Sequence, residues 1–188
     1  ADARFPAKYK PILVDFFATY QSALAEAGLK PEAYDHLLCG FVDRMAERLQ
    51  WPFTFEPYHR QITEPFDYYT FGVEFLRPLV DKRKSSMRGR EHLDAAARHL
   101  EAGENVIFLA NHQTEGDPQA ISLLLEDAYP AIGKQMIFAA GERVTTDPLA
   151  VPFSMGRNLL CIYSKRYIDH PPEQKHAKQH HNRKTMER

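Results

Sequence analysis

Residues 105–118 have the sequence Asn-Val-Ile-Phe-Leu-Ala-Asn-His-Gln-Thr-Glu-Gly-Asp-Pro, and the rest of the chain can be interpreted around them. Val106–Ala110 is an unbroken apolar run, rich in β-branched and aromatic residues, which predicts a strand buried on both faces. Asp117 and Pro118 predict the start of a helix, because aspartate accepts free N–H groups of the first turn and proline fits the first helical position. The loop between the predicted strand and helix carries His112. Loops at the carboxyl ends of strands are where α/β proteins bind and react.

His112 and Asp117 are five positions apart across this loop, a spacing that suits acid–base chemistry. An imidazole can take a proton from an alcohol, and a carboxylate on the far ring nitrogen fixes its tautomer and stabilises the imidazolium. The chain contains nine histidines, so the spacing alone is weak evidence for a catalytic pair. The simpler interpretation is that Asp117 only caps the helix and that His112 is a polar loop residue.

The longer string Asn-His-Gln-Thr-Glu-Gly-Asp-Pro at 111–118 is more specific. It resembles the signature of the soluble, plastid-type glycerol-3-phosphate acyltransferases, which belong to the wider His-x4-Asp acyltransferase group. Three further stretches resemble the same family in order and spacing: Glu64–Tyr69, Gly141–Val144 with Asp147–Leu149, and Pro152–Lys165. The resemblance extends from about Glu64 to about Glu173, and before Glu64 it is only one of helical character.

This resemblance implies a glycerol-3-phosphate 1-O-acyltransferase. Such an enzyme moves a fatty acyl group from acyl carrier protein or acyl-coenzyme A to the 1-hydroxyl of glycerol 3-phosphate, the first step of glycerolipid synthesis. It implies that His112 is the general base and that Asp117 orients it. Neither a cofactor nor a metal is implied, and no Ser or Cys nucleophile is required.

The acceptor's phosphate needs cations, which the family places after the third strand in a Ser-Lys-Lys-His pattern. The matching run here is Ser164-Lys165-Arg166-Tyr167. Arg166 keeps the charge and adds a planar fork that suits phosphate oxygens. Tyr167 departs from the pattern, since it keeps a hydrogen bond but loses a potential positive charge, which affects phosphate affinity and acceptor choice. Lys165 is equally explained as a charged residue at the exit of a strand.

Two other functions are open. A 1-acylglycerol-3-phosphate acyltransferase shares the His-x4-Asp logic, but such proteins usually carry membrane-embedding segments, and no run here approaches the ~20 apolar residues of a span. A non-catalytic fragment that binds acyl carrier protein is the second alternative. The basic run Lys82–Lys84 could dock such an acidic carrier, although a solvated helix end is the commoner role.

A zinc site is a weaker hypothesis. His176 and His180 would share a helix face, with His181 beside them, but no cysteine or clear third-ligand cluster accompanies them. A solvated helix explains this Lys- and Gln-rich segment better. Arg143 and Arg157 lie inside the family-like stretches, but they could equally brace the long loop through carboxylate pairs, so we assign them no role.

Hydrophobic periodicity, together with the positions of glycine and proline, predicts helices over 7–27, 31–50, 67–81, 90–101 and 118–128 and a polar helix after Pro171. It predicts strands over 106–110, 136–140 and 159–163. Gly28 and Gly103 are expected to stop helices. The inner face of the third helix is predicted to hold Tyr69, Val73, Leu76 and Val80. Residues 51–65 are predicted to be an irregular connection, and 141–158 a long functional loop.

These elements predict an α/β fold, in which a helical module at residues 1–60 precedes a mostly parallel sheet flanked by helices at 61–188. Three strands make a thin sheet, so we expect an amino-terminal portion of such an enzyme, truncated at its carboxyl end.

Composition restricts the remaining options. The net charge of −1 does not favour nucleic acid or an anionic membrane surface. Cys39 and Cys161 show no disulfide framework, which favours a reducing compartment. The first residues lack the apolar core of a signal peptide, and the absent initiator methionine is consistent with a removed transit peptide. We expect the plastid stroma, with bacterial cytoplasm as the alternative.

Overall fold

The computed structural model describes residues 5–187, and it combines many helices with one small sheet. The helices are α1 (Tyr9–Glu26), α2 (Asp35–Gln50), α3 (Tyr68–Leu76), α4 (Arg90–Glu101), α5 (Asp117–Leu125), α6 (Pro130–Gln135), α7 (Glu142–Thr146), α8 (Val151–Met155), α9 (Lys165–Ile168) and α10 (Lys175–Met186). The strands are β1 (Tyr58–His59), β2 (Ile137–Gly141) and β3 (Asn158–Ile162). Short 3-10 turns precede α2 and α10 and follow α3. The signal-peptide prediction concerns the first residues, of which 1–4 lie outside the described part.

The sheet has the order β1-β3-β2. β2 and β3 are parallel from the pair Ile137 with Asn158 to the pair Gly141 with Ile162. β1 pairs antiparallel with β3 over two residues, so the sheet is mixed but its longer pairing is parallel. The predicted α/β class is confirmed. β1 itself lies in the stretch that we predicted to be irregular.

Several helix ends follow the predicted local chemistry. Asp67 precedes α3, and its carboxylate accepts a hydrogen bond from the Thr70 N–H at 2.9 Å, as expected of an N-terminal cap. Gly28 has a φ of 74° after α1, and Gly103 has a φ of 78° after α4. Glycine tolerates this left-handed backbone without steric cost, which confirms both predicted stops.

The strand predicted at Val106–Ala110 is wrong. This segment is neither helix nor strand, and the side chains of Ile107 and Leu109 are 83% and 96% exposed. An apolar, β-branched run becomes a strand only when a neighbouring strand pairs with its backbone. Within residues 5–187 the sheet contains β1, β2 and β3, and none of them pairs with this run.

The long loop predicted at 141–158 is also wrong, because it contains α7 and α8. Its glycines and prolines mark helix ends: Gly141 precedes α7, Pro152 occupies the first turn of α8, and Gly156 follows it. Proline is well tolerated in the first turn of a helix. The glycines and prolines that suggested a loop therefore mark the ends of two short helices.

The predicted inner face of α3 is only partly correct. Val73 is buried, but the other buried side chains are Tyr68, Phe71 and Phe75. The helix is covered on two sides, since Phe71 and Phe75 belong to a core with α1 and α2, while Tyr68 belongs to the core beside the sheet. A single inner stripe cannot describe a helix that lies between two cores.

Aromatic rings join the amino-terminal helices to the rest of the chain. Phe41 of α2 lies 5.7 Å from Phe75 of α3 and 5.5 Å from Phe153 of α8, measured between ring centroids. Phe16 of α1 lies 6.1 Å from the same Phe75. The predicted boundary between residues 60 and 61 is therefore bridged by shared side-chain packing, and it stays a prediction. No helix within residues 5–187 has both the length and the apolar character to cross a bilayer.

Candidate active site

His112 and Asp117 are in contact. The Nδ1 atom of His112 lies 2.8 Å from Oδ2 of Asp117. The same carboxylate accepts hydrogen bonds from the backbone N–H groups of Gln113 at 2.8 Å and Thr114 at 3.1 Å. One carboxylate therefore holds the loop closed and fixes the orientation of the imidazole.

This geometry corrects the expected role of Asp117 as a cap. Its carboxylate faces backwards into the loop, towards Gln113 and Thr114, and Gly116 occupies the position before the helix. The first turn of α5 receives no side-chain cap from Gly116. Asp117 therefore organises the loop that precedes it.

The electrostatics of the pair suit a base and its orienting carboxylate. Partial burial raises the pKa of Asp117, but the hydrogen bonds from Gln113, Thr114 and His112 outweigh it, so the pKa lies below its ordinary value. The Asp117 side chain is ionised at neutral pH and accepts a hydrogen bond from the Nδ1–H group of His112. The His112 side chain is 75% exposed, which leaves Nε2 as the ring nitrogen available to a substrate.

An ion pair connects this loop to the end of β2. Glu115 Oε1 lies 3.0 Å from a terminal nitrogen of Arg143, the second residue of α7. Because β2 and β3 are parallel, their carboxyl ends lie at the same edge of the sheet. The contact therefore attaches the His112 loop to that edge, and Arg143 is the residue that braces this loop.

The predicted phosphate-binding residues lie directly after β3. Lys165, Arg166 and Tyr167 form most of α9, and all three are exposed. The guanidinium carbon of Arg166 is 5.5 Å from the ring centroid of Tyr167. In the described part of the chain, neither Lys165 nor Arg166 forms an ion pair with a carboxylate. Their charges are therefore available to an anionic ligand.

Helix α10 has a role at this edge that was not predicted from the sequence. Lys178 is buried, and its ammonium donates to Glu142 Oε1 at 2.9 Å, to the carbonyl of Tyr167 at 3.0 Å and to the carbonyl of His170 at 2.6 Å. Asn182 bonds both backbone groups of Tyr163, at 2.9 and 2.8 Å. No periodic or charge signal distinguishes these residues from their solvated neighbours in the sequence.

Of the α10 histidines, His176 and His180 are exposed, whereas His181 packs against the sheet. His181 Nε2 lies 3.1 Å from the carbonyl of Cys161, and its ring is 5.0 Å from that of Tyr163. Among residues 5–187, no three His, Cys, Asp or Glu side chains are grouped in a way that could hold a metal ion. Burial raises the pKa of Cys161 to about 11, so this thiol is a poor nucleophile at neutral pH.

Arg157 braces the helices around the site. It is buried, and a terminal nitrogen donates to Ser122 Oγ of α5 at 2.6 Å, while its guanidinium carbon lies 4.8 Å from the Tyr69 ring centroid of α3. Burial lowers the pKa of Arg157 to about 10. The expected carboxylate partner is replaced by a hydroxyl and an aromatic ring.

Comparison with known families places this site in a class. A family model described as Acyltransferase matches residues 84–188, which include the His112 loop and every element from α4 to α10. That match covers more than half of the chain. The chain therefore belongs to the acyltransferase family.

The similar proteins are more particular. The chain is 41% identical over 175 residues to a protein of Carthamus tinctorius named glycerol-3-phosphate acyltransferase, chloroplastic, covering 92% of this chain and 38% of that protein. It is 38% identical over 186 residues to a chloroplastic glycerol-3-phosphate acyltransferase of Cucurbita moschata, covering 97% and 41%. Against the Arabidopsis thaliana protein of that name it is 37% identical over 185 residues, covering 97% and 40%. The chain thus spans about two fifths of the length of these relatives.

Proposed function

We propose that the protein transfers a fatty acyl group from a thioester to the 1-hydroxyl of glycerol 3-phosphate. The observation that carries this proposal is the contact between His112 Nδ1 and Asp117 Oδ2 at 2.8 Å, within a chain of the acyltransferase family. The names of the relatives from Carthamus tinctorius, Cucurbita moschata and Arabidopsis thaliana support the choice of glycerol 3-phosphate as acceptor.

The chemistry follows from the two side chains. Nε2 of His112 takes the proton of the 1-hydroxyl while the hydroxyl oxygen attacks the thioester carbonyl. The carbon–sulfur bond then breaks, and the thiolate receives the proton back from the imidazolium. Asp117, held ionised by the loop amides, stabilises the imidazolium between these steps. General-base help of this kind accelerates reactions by about 10²–10⁴-fold.

The acceptor's phosphate is assigned to α9. Arg166 offers a planar fork, Lys165 a point charge and Tyr167 a hydroxyl, and all three are exposed after β3. The shared sheet edge supports this assignment, because α7 and α9 follow the carboxyl ends of the parallel strands β2 and β3.

The donor and the compartment are proposed with it. We take the acyl donor to be acyl carrier protein or acyl-coenzyme A. The chloroplastic names of the relatives support the plastid as the compartment, and within it we propose the stroma. Part of the basic run proposed for carrier docking is already engaged, because Lys82 pairs with Glu126 and Asp127. Among residues 5–187, the ion pairs of Arg83 and Lys84 are with Asp81 of their own turn, so both side chains stay available to an acidic carrier.

Thiol release tests the proposal. Release from acyl carrier protein or acyl-coenzyme A that depends on glycerol 3-phosphate supports it. Release that depends on the 1-acyl product supports a 1-acylglycerol-3-phosphate acyltransferase, and binding without turnover supports a non-catalytic carrier-binding role.

His112→Ala tests the mechanism directly. We expect transfer to fall by about 10²–10⁴-fold, with thermal unfolding unchanged because the side chain is exposed. His92→Ala is the matched control, since His92 is 86% exposed and lies on α4. Near-normal turnover of the His112 variant would remove this residue from the mechanism.

A further inference from the structure

Lys178 is a buried ammonium on a helix that otherwise faces solvent. Its side chain is 4% exposed, whereas most other residues of α10 are exposed or half-buried. Burying an ammonium is expensive unless every donor has a partner. Lys178 meets this requirement with three acceptors for its three N–H groups: the Glu142 carboxylate and the carbonyls of Tyr167 and His170.

We propose that Lys178 is a positioning residue of the acceptor site, which holds the cationic segment Lys165–Tyr167 at a fixed distance from His112. This inference rests on the proposed function and extends it to a residue that contacts neither substrate. Lys178 joins α9, where the phosphate is bound, to α7, which is attached to the His112 loop.

The connection passes through two adjacent residues of α7. Glu142 accepts from Lys178 at 2.9 Å, and its neighbour Arg143 lies 3.0 Å from Glu115 in the His112 loop. On the other side, the Tyr167 carbonyl that Lys178 holds belongs to the residue directly after Arg166. Two neighbouring side chains of one short helix therefore position the base and the phosphate-binding cations relative to each other.

The segment Lys165–Tyr167 needs this support because α9 is only four residues long. A single helical turn is not stable by itself in water. Contacts from α10 hold this segment and its two flanks: Lys178 binds the carbonyls of Tyr167 and His170, and Asn182 binds both backbone groups of Tyr163, just before α9. Loss of the Lys178 ammonium frees the carbonyls of Tyr167 and His170 and leaves the Glu142 carboxylate without its cation.

The same helix offers a matched control. Lys175 lies three residues earlier on α10 and pairs with Asp169, at the end of α9, at 2.8 Å. Its side chain is about half exposed, at 47%. An exposed pair of this kind contributes little to stability. Lys175→Met and Lys178→Met therefore remove the same charge from the same helix, and only the second removes the buried contacts.

Steady-state kinetics with both substrates test the inference. For Lys178→Met we expect the KM for glycerol 3-phosphate to rise by about 10–100-fold, because a displacement of about 1 Å at a substrate site costs up to ~10²-fold. The KM for the acyl thioester should stay within about twofold, since a change of that size is under 0.5 kcal/mol. Lys178→Arg, which keeps the charge, should recover part of the loss, and Lys175→Met should resemble the wild type.

Hydrogen–deuterium exchange of the amides of residues 163–170 gives a readout that does not depend on turnover. We expect faster exchange in Lys178→Met than in Lys175→Met or the wild type. If Lys178→Met does not fold, Glu142→Gln serves as the second variant, because it keeps the shape and a hydrogen bond but removes the charge. It should raise the KM for glycerol 3-phosphate in the same direction by a smaller factor.

The outcomes separate the two proposals. An active wild type in which Lys178→Met matches Lys175→Met, or weakens both substrates equally, overturns the positioning role and leaves the proposed function intact. A wild type that shows neither release dependent on glycerol 3-phosphate nor calorimetric binding of it overturns the proposed function, and the acceptor role of Lys178 falls with it.

Discussion

At the scale of single residues, Asp117 gathers three groups of one loop around a single carboxylate. It accepts from two backbone amides and holds the Nδ1 atom of His112. The contact with His112 was predictable from sequence, because the spacing and the surrounding motif both favour it. The direction in which the carboxylate points was not, since the sequence Asp-Pro is equally typical of a helix cap.

Asp117→Asn separates the charge of this side chain from its hydrogen bonds. The amide oxygen can still accept from Gln113 and Thr114, but the stabilisation of the imidazolium is lost, so we expect kcat to fall by about 10²-fold or more. Urea unfolding should change little. Glu104→Gln is the control, because Glu104 forms a similar contact with Nδ1 of His99 outside the site, and equal losses in the two variants would argue against an orienting role for Asp117.

Gly156 is predicted to be intolerant of any side chain. A Cβ atom here would lie 2.7 Å from the backbone nitrogen of Tyr69 and would also meet the backbone of Tyr68, neither of which can rotate away. We expect Gly156→Ala to lower the free energy of unfolding by about 1–3 kcal/mol or more, as overpacking does. Gly141→Ala is the control, because nothing lies within 4 Å of its Cβ. Equal denaturation midpoints would show that the backbone of α3 yields.

His59 makes the fold sensitive to acid. It is buried beside Phe53 and Phe55, and burial lowers its pKa although the Met155 carbonyl opposes the shift. The unfolded chain therefore binds more protons than the folded one below about pH 6.5, the ordinary pKa of histidine, and stability falls as the pH drops through that value.

His59→Phe keeps the ring packing and removes the titration. We expect the loss of unfolding free energy between about pH 7.5 and about pH 5.5 to be smaller in the variant, by up to 1.36 kcal/mol for each pH unit that the pKa is shifted. Urea denaturation at the two values measures it. The same loss of unfolding free energy is expected in the control His92→Phe, because His92 is exposed. If His59→Phe loses as much unfolding free energy as the wild type, other groups cause the acid sensitivity.

At the scale of elements, local signals predicted α1, α2, α4, α10, β2 and β3 within a few residues. Periodic apolar positions and glycine stops are sufficient where an element forms from its own sequence. Two of the failures share a cause, because each depends on a partner that is distant in sequence. Val106–Ala110 lacks a pairing strand, and β1 exists only because Tyr58 and His59 lie against β3.

The same distinction between local signals and distant partners applies to the candidate site. The motif placed His112, Asp117 and Lys165–Tyr167 at loops of the chain, and the structure adds the contacts that join them. Glu142 and Lys178 are 36 residues apart, and a pairing at that distance leaves no periodic trace in a single sequence. α7, which was predicted to be loop, is the element through which both parts of the site are held.

At the scale of the whole molecule, one aromatic core connects α1 and α2 with α3 and α8. Phe41, which is 1% exposed, contacts rings from three of these helices. The apolar periodicity of α1 and α2 predicted that they would pack together. It could not predict that their side chains pack against a residue more than a hundred positions away, as Phe41 does against Phe153. The boundary at 60 and 61 was therefore drawn from composition alone.

Phe41→Ala tests whether the two parts unfold together. Removing a buried phenylalanine side chain costs about 3–5 kcal/mol, and we expect hydrogen-exchange protection to fall in both α2 and β3. Phe108→Ala is the control, because Phe108 is 45% exposed and lies outside both cores. Loss of protection confined to α1 and α2 would instead establish an independent helical unit at residues 1–60.

The two ion pairs that join α7 to the rest of the site differ in their contact with water. Glu115 and Arg143 are 49% and 72% exposed, whereas Glu142 and Lys178 are 22% and 4% exposed. Dissolved ions screen exposed charges over about 8 Å at physiological ionic strength and affect buried ones much less. We therefore expect rising ionic strength to weaken the contact between the His112 loop and α7 while α9 stays attached, so a change of buffer salt alone distinguishes the electrostatic tether of the proposed base from that of the proposed phosphate-binding segment.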